Sequence, residues 1–399
     1  MRCNVNQFKK VFSFVFFMLL VVYSLGMAQK LKKDLTFYKP TTTYSGKPDT
    51  VLSMDFSHIK IPTSPESFKS LFHFPPVRQD TTGTCWAFST ISFLESEIVR
   101  LGKEKVKLSE IYVAYHGYIE KEKRFVHQKG NSLFEQGSEE NGAILRIKQY
   151  GIVRASDYSG LLPGETKHGH GKMYNEMKNY LKFIEANGYW DEDIVIANIK
   201  LILNKYLGEP PSTIEVDGKK ITPVEYAQDV LQLPLDDYVD FMSFKYVPFY
   251  TKADYRVPDN WWHSKEYHNV PLDEWYNAIK QAVKKGYTVA FGGDVSEVGK
   301  HGELDIAIIP KFDIDPKNIN QDAREFRFDN ETSEDDHGIH VVGYLHFDSW
   351  DWFLIKDSGY SATKGKFKGY YFFREDFVKL KMLTFMVHKD AVKDLLKKF

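Results

Sequence analysis

A short segment around one cysteine constrains this chain more than any other feature. The segment is Arg78–Ser89, with the sequence RQDTTGTCWAFS. Apolar residues then recur at helical spacing, and the pattern ends at Gly102; the residues on that face are Ile91, Leu94, Ile98 and Leu101. Thr82 or Thr84 is available to cap the first turn. The segment therefore predicts that Cys85 stands on the first turn of a helix, where free N–H groups and the helix dipole favour a thiolate.

The N-terminal residues 1–28 have the features of an export signal. A positively charged start precedes the apolar run Val11–Tyr23, and Gly26-Met27-Ala28 offers small residues for cleavage. The run is short for a transmembrane helix, so a membrane anchor is the less favoured alternative. Cleavage there would remove Cys3 and leave Cys85 as the one remaining cysteine, without a partner for an intramolecular disulfide.

Composition narrows the class of protein further. Residues 29–399 suffice for one large domain or for two lobes around a cleft, and 43% hydrophobic residues suit a substantial core. The formal net charge is −1 and no basic run is present, which argues against a nucleic-acid partner. His168-Gly169-His170 offers two metal ligands without an evident third, and no phosphate-binding glycine loop occurs. We therefore expect no metal and no cofactor.

The remaining pattern predicts an ordered series of regions. Residues 29–50 are expected to be a polar, loosely held leader, residues 51–392 the folded domain, and residues 393–399 a short tail. Helices are predicted up to Gly151, with Ser109 and Asn141 as N-caps, and a helical insert is predicted over about 160–286, where packing is favoured over a binding platform for Trp261-Trp262. Short strands follow, at Thr288–Gly292, Ile339–Phe347, Trp352–Lys356, Gly369–Phe373 and Leu383–Val387.

A candidate base for Cys85 lies in the strand-rich region. His337 is placed at the mouth of a predicted strand, and Asp357 follows the next strand, where its carboxylate could accept a hydrogen bond from the imidazole. Taken alone, a buried inert thiol and a surface histidine paired with acidic residues are the simpler interpretations. Their occurrence together favours a Cys–His couple, which needs residues distant in sequence and adjacent in space.

Together these segments resemble the papain superfamily of cysteine peptidases, and within it the bleomycin hydrolase and aminopeptidase C branch. Gly137-Ser138 stands where that family has a Gly-Gly pair lining the substrate cleft. The branch is suggested by the distance between Cys85 and His337, well above the roughly 130–150 residues of simpler relatives. It is also suggested by three further stretches, LGEPP at Leu207–Pro211, ITPVEY at Ile221–Tyr226 and FGGDV at Phe291–Val295.

The resemblance implies a fold and a set of roles. The fold is α+β, a papain-like arrangement of a helical lobe and an antiparallel β lobe, with the helical insert. Cys85 is implied as nucleophile and His337 as its acid/base partner, with Asp357 orienting the imidazole and the Gln79 side chain completing an oxyanion hole with the Cys85 N–H. Substrate contacts are expected at Gly137, Ser138, Trp86 and Asp336.

The chain departs from the family pattern at three places. The family has Asn where this chain has Asp357, and a carboxylate there is expected to raise the pKa of the histidine and shift the pH profile. Ser358-Gly359-Tyr360 lacks the tryptophan that follows in the family. Enzymes of the branch end in a longer arm that enters the cleft, whereas the sequence here ends at Leu395–Phe399, which weakens the aminopeptidase interpretation relative to the peptidase one.

The sequence thus predicts thiol-dependent peptide hydrolysis by an exported bacterial protein, periplasmic or extracellular, and favours an aminopeptidase. Its expected partners are peptide substrates, with no nucleic acid, no stable membrane anchor after signal cleavage, and a homo-oligomer, a hexamer by resemblance. Two alternatives stay open: an endopeptidase with an open cleft, and a catalytically silent papain-like protein that binds peptides.

Overall fold

The computed structural model describes residues 36–42 and 46–399. The predicted export signal and Cys3 lie outside these residues. The helices are α1 Cys85–Arg100, α2 Glu110–His127, α3 Glu140–Tyr150, α4 Gly171–Asn187, α5 Glu192–Leu207, α6 Pro223–Glu225, α7 Leu272–Lys285, α8 Gln321–Asp329, α9 Glu375–Lys381 and α10 Lys393–Leu396. Within the described part of the chain, no helix combines the length and the apolar character needed to cross a bilayer.

Fifteen strands occur in the described residues. They are β1 Thr36–Thr42, β2 Pro48–Met54, β3 Lys69–Ser70, β4 Ile214–Val216, β5 Lys219–Ile221, β6 Tyr238–Met242, β7 Thr251–Ala253, β8 Tyr267–Asn269, β9 Val289–Gly293, β10 Lys300–His301, β11 Ile306–Ala307, β12 His337–Phe347, β13 Trp350–Lys356, β14 Tyr370–Arg374 and β15 Met382–His388. All five strands predicted after Gly286 are confirmed, as β9, β12, β13, β14 and β15.

Helices α1 to α5 form the helical lobe around one apolar core. Cys85 is the first residue of α1, as predicted. Thr84 is the N-cap residue of α1, but its side chain makes no cap hydrogen bond and instead lies 2.6 Å from the hydroxyl of Thr82. Ser109 caps α2 as predicted, accepting from Tyr112 N–H. The prediction for Asn141 was wrong, because α3 begins at Glu140, one residue earlier.

Eleven of the described strands form one mainly antiparallel sheet, in the order β10-β11-β14-β13-β12-β9-β15-β6-β8-β7, with β3 paired to β12. Helix α7 packs its apolar face on this sheet, and Trp275 and Ile279 on that face are fully buried. Burial of each large apolar side chain contributes about 1.5–3 kcal/mol, which makes this packing the main source of stability of the lobe.

Two regional predictions need correction. The insert is not purely helical: it supplies α4 and α5, but also β6, β7 and β8, which extend the main sheet beside β15. These strands are short and β6 carries a buried aspartate, Asp240, so their pattern does not stand out in sequence.

Part of the leader is ordered, because β1 and β2 form an antiparallel hairpin that Lys39 ties to Glu303. The tail begins with α10, and Lys398 pairs with Glu274.

The two lobes meet where α1 crosses β12. Gly338, the second residue of β12, makes this approach possible. A Cβ on Gly338 would lie 2.9 Å from Ser89 Oγ and 3.1 Å from Trp86 Cα, closer than ordinary contact. Cys85, the first residue of α1, and His337, the first residue of β12, are thereby brought to the same end of the interface between the two elements.

Candidate active site

Cys85 and His337 meet at the junction of the lobes. The thiol of Cys85 is partly exposed and lies close enough to the imidazole of His337 to help raise the pKa of that ring. The N-terminus of α1 contributes free N–H groups and the positive end of its dipole beside the sulfur, which favours negative charge there. The structure therefore places the predicted nucleophile and base in direct contact although they are far apart in sequence.

Asp357 holds the other side of the imidazole. His337 Nε2 lies 2.7 Å from Asp357 Oδ1, and Gly359 N–H donates to the same oxygen at 2.6 Å. Asp357 follows β13, the neighbour of β12 in the sheet, so strand pairing brings the carboxylate to the histidine. This bond leaves Nδ1 of His337 for the thiol.

The two charges support each other. Burial lowers the pKa of His337, but the charge and hydrogen bond of Asp357, with the contact to Cys85, outweigh it and raise the pKa to about 10. Burial raises the pKa of Asp357, yet the cationic His337, Lys300 and the Gly359 N–H hold it well below its usual range. The carboxylate of Asp357 thus raises the pKa of His337, as the sequence predicted.

Lys300 is a neighbour that the sequence did not indicate. It lies on β10, donates to Ser361 Oγ at 3.1 Å and stabilises the charge of Asp357. Burial lowers the pKa of Lys300, whereas the nearby carboxylates of Asp357, Asp336 and Asp294 raise it. A lysine in a two-residue edge strand carries no sequence pattern, and only the sheet order brings it here.

Gln79 connects the two loops of the site. Its Nε2 donates to Thr82 O at 2.7 Å, and its Oε1 accepts from Ser358 Oγ at 2.7 Å. Its backbone N–H donates to Ser358 O, so the loop before Cys85 is tied to the turn after Asp357. One of the two Nε2 hydrogens is used within the loop, which leaves the second for the predicted oxyanion role. Tyr360 is the aromatic residue next to the position where the family has its tryptophan. It is 59% exposed and lies beside Arg78.

The four predicted substrate-binding residues are placed differently from one another. Trp86 is only 3% exposed and donates to Gln136 O, so it supports the loop that carries Gly137 rather than lining the cleft. Asp336 accepts from Val295 N–H and thereby orders the turn before His337. Gly137 and Ser138 lie side by side and are covered by another part of the chain, described below.

A buried acidic cluster next to His337 was missed by the sequence analysis. Glu139 and Glu140 are 1% and 3% exposed, and burial together with the neighbouring Asp335 raises the pKa of Glu139 well above its usual range. Burial and the charge of Asp335 raise the pKa of Glu140 to about 8, and burial raises the pKa of Asp335 to about 7. The available signal was the acidic residues that directly follow Ser138 and directly precede His337. Among the described residues, no group of three or more His, Cys, Asp or Glu is arranged to hold a metal ion.

Comparison with known proteins bears on the fold. No protein-family model and no curated protein sequence matches the chain. Among solved structures, the crystal structure of PepW from Lactobacillus rhamnosis HN001 (DR20) matches with a TM-score of 0.65 and 19% identity, covering 84% of this chain and 85% of PepW. Digestive procathepsin L 3 of Tenebrio molitor larval midgut matches with a TM-score of 0.36, 15% identity and coverage of 83% and 72%, a likeness too slight to weigh. The chain therefore shares the fold of PepW, and its fold class is the α+β, papain-like one that the sequence predicted.

Proposed function

We propose that this protein is a cysteine peptidase that removes residues from the free N-terminus of peptides. The observation that carries the proposal is His337, which contacts the thiol of Cys85 on one side and the carboxylate of Asp357 on the other. This is the arrangement that converts a thiol into a nucleophile, with the base oriented by a third group.

Each residue has a definite part in the reaction. The Cys85 thiolate attacks the scissile carbonyl, and the negative charge that develops on its oxygen is met by the Cys85 N–H and the free Nε2 hydrogen of Gln79. The cationic His337 then protonates the leaving amine. Neutral His337 next activates water, which releases the acyl group and restores the thiol pair. Asp357 stabilises the cationic form and fixes which ring nitrogen faces sulfur.

The restriction to N-terminal residues is supported by a segment of the insert, Asp254–Ser264, which we term the covering loop. Asp259 occupies the space above Gly137, where an added Cβ would lie 2.0 Å from its carboxylate oxygen. Trp261 Nε1 donates to Ser138 Oγ at 3.3 Å. A long peptide running across Gly137 and Ser138 would collide with the covering loop, which favours substrates with few residues before the scissile bond.

The proposal is tested with residues 29–399, kept reduced, and two fluorogenic peptides that differ only by acetylation of the α-amine. We expect cleavage of the free-amine peptide, with kcat/KM lowered by at least about 10³-fold in Cys85→Ala and His337→Ala. Equal cleavage of the acetylated peptide would establish an endopeptidase instead. Absence of thiol-dependent cleavage by the folded protein would reject the peptidase and favour the peptide-binding alternative.

A further inference from the structure

A cavity of about 710 Å³ lies between the hairpin β1–β2 and the β10 edge of the main sheet. Residues of both hairpin strands form one wall, and the segments around β10 and after Asp357 form the others. Glu303 and Lys364, which line the cavity, are exposed, so the cavity is open to solvent. Its volume is within the range of sites that bind small organic molecules.

The lining combines apolar surface with polar groups that lack partners. Leu52 and Val298 contribute to the apolar part. Tyr371 is fully buried, and within the described residues neither its hydroxyl nor Nδ1 of His301 has a partner in hydrogen-bond geometry. An unpaired buried polar group is costly, and a ligand that hydrogen-bonds it offsets the cost.

Lys300 adds a cation to the same wall. Its Nζ donates to Ser361 Oγ at 3.1 Å, which leaves two of its three hydrogens for other acceptors. The same Nζ lies 4.8 Å from the centre of the Tyr371 ring, so the cation and the unpaired hydroxyl are on neighbouring side chains. Within the described residues, no carboxylate forms an ion pair with Lys300. A buried cation of this kind favours an anion beside it.

The negative charges around this lysine are occupied by other partners. Three carboxylates act on it from a greater distance, those of Asp294, Asp336 and Asp357. Asp357 is paired with the imidazole of the catalytic pair and Asp294 with Lys381, each at 2.7 Å. Asp336 accepts from a backbone N–H at 2.9 Å. These carboxylates therefore do not use the remaining hydrogens of the lysine.

The charges that line the cavity favour a ligand with one negative charge. Three lysines and two glutamates line it. Lys39 and Glu303 neutralise each other at 2.8 Å, and Glu297 lies 3.7 Å from Lys381. Lys364, at the opening, forms no ion pair with any described residue. The small positive excess suits a carboxylate, whereas a doubly charged group would be repelled by the nearby acids.

We propose that the cavity binds the carboxylate of a ligand with a small apolar body, with Lys300 as cationic partner and the Tyr371 hydroxyl as a further donor. The inference goes beyond the proposed function, because neither Cys85 nor His337 lines the cavity. Two carboxylate oxygens match one ammonium and one hydroxyl. Since Lys300 also stabilises the charge of Asp357, the bound carboxylate is coupled to the catalytic pair.

The carboxylate has two possible sources, a free small acid or the C-terminus of a peptide held at the catalytic pair. The test measures binding to Cys85→Ala by calorimetry, so that no turnover is needed. One pair of probes is acetyl-leucine and its amide, and the other is the peptide Leu-Ala-Ala-Ala with a C-terminal carboxylate or amide. We expect the carboxylate to bind about 10- to 100-fold more tightly than its amide. A preference in the first pair identifies a free acid as sufficient, and a preference confined to the second identifies the peptide C-terminus.

Variants then assign the preference to the cavity. In the Cys85→Ala background, Lys300→Met keeps the apolar stem, and it should reduce the preference for the carboxylate at least about 10-fold and leave binding of the amides unchanged. Tyr371→Phe removes one hydroxyl and should reduce the preference about 3-fold, which provides a second variant should Lys300→Met fail to fold. Lys366→Met is the matched control, because Lys366 is exposed in the same segment as Lys364 and does not line the cavity.

Equal binding within both pairs, or no binding of any probe, would overturn the carboxylate site. So would a Lys300→Met protein that binds carboxylates and amides equally less well, or a Lys366→Met protein that loses the preference to the same extent. Failure of the proposed function is distinguishable, because hydrolysis is measured with the unmodified protein. A preference for the carboxylate without hydrolysis would reject the peptidase and retain the site, and hydrolysis without the preference would do the reverse.

Discussion

At the residue scale, the carboxylate of Asp357 governs the charge of His337. Its hydrogen bond and charge keep the imidazole cationic to about pH 10 despite burial. A thiolate–imidazolium pair is active above the pKa of the thiol and below the pKa of the imidazolium, so a raised histidine pKa extends activity toward alkaline pH. The ion pair between Asp357 and His337 also contributes to stability, because the pKa of each partner differs between the folded and the unfolded chain.

We expect Asp357→Asn to lower the pKa of His337 and move the basic limb of the kcat/KM profile down by at least about one pH unit. The stability from the pair is complete above the usual Asp pKa of 3.8 and below the usual His pKa of 6.5. It falls as pH decreases through the lowered Asp357 pKa, and as pH rises through about 10. Urea denaturation between pH 3 and 10 should show the loss in the variant mainly near pH 4–6.5. Glu334→Gln is the control, because it removes an exposed carboxylate three residues before His337. A basic limb that does not move in Asp357→Asn would show that Asp357 does not set the pKa of His337.

At the element scale, the covering loop is held in shape by one fully buried side chain, Asn260. Its Nδ2 donates to Asp254 Oδ1 at 2.7 Å and to Tyr255 O at 3.0 Å. Its Oδ1 accepts from Ser264 N–H at 2.9 Å. Asn260 thus joins the two ends of the loop, which keeps Asp259 and Trp261 over the backbone of Gly137 and Ser138.

Asn260→Ala should loosen the covering loop, because it removes the hydrogen bonds that close it. We expect the ratio of kcat/KM for acetylated to free-amine peptides to rise about 10-fold, together with faster proteolysis within residues 254–264. Asn320→Ala is the matched control, since it removes the N-cap of α8 at a cost of about 1 kcal/mol without touching the loop. A loop that becomes sensitive to protease while the ratio stays constant would show that it does not restrict the cleft.

At the scale of the whole molecule, Arg324 joins the insert to the sheet. It is fully buried on α8 and donates to Ser243 O at 3.1 Å, Lys379 O at 2.9 Å and Leu383 O at 2.8 Å. Its guanidinium also lies over the ring of Trp275 at 4.7 Å. One side chain therefore satisfies backbone carbonyls from the insert, α9 and β15.

Arg324→Leu should lower the free energy of unfolding by about 3–5 kcal/mol, because several buried carbonyls lose their donor at once. Arg327→Leu serves as the control: on the same helix, it breaks a partly exposed ion pair with Asp313, and we expect a loss below about 1 kcal/mol. Denaturation by guanidinium chloride measures both. Equal losses in the two variants would mean that Arg324 does not hold the insert to the sheet.

Local pattern was sufficient for the elements that carry the chemistry. The apolar period after Cys85 predicted α1, and the β-branched and aromatic runs predicted the five strands that are present. The position of His337 at the start of a strand and of Asp357 after the next could also be predicted, because adjacent antiparallel strands place such residues together. Short stretches of regular periodicity encode these features directly.

The sequence by itself was sufficient to single out Cys85, His337 and Asp357 as one candidate site and to predict the order of the lobes. Only the tertiary structure decided that Lys300 supports Asp357, that Trp261 and Asp259 cover Gly137 and Ser138, and that acids from α3 and from the turn before β12 converge near Gly292. These contacts join segments far apart in the chain, and each depends on strand order and helix packing. Periodicity relates residues that are only a few positions apart. It therefore specifies which face of a helix or strand is apolar, but not which side chains of a distant segment contact that face.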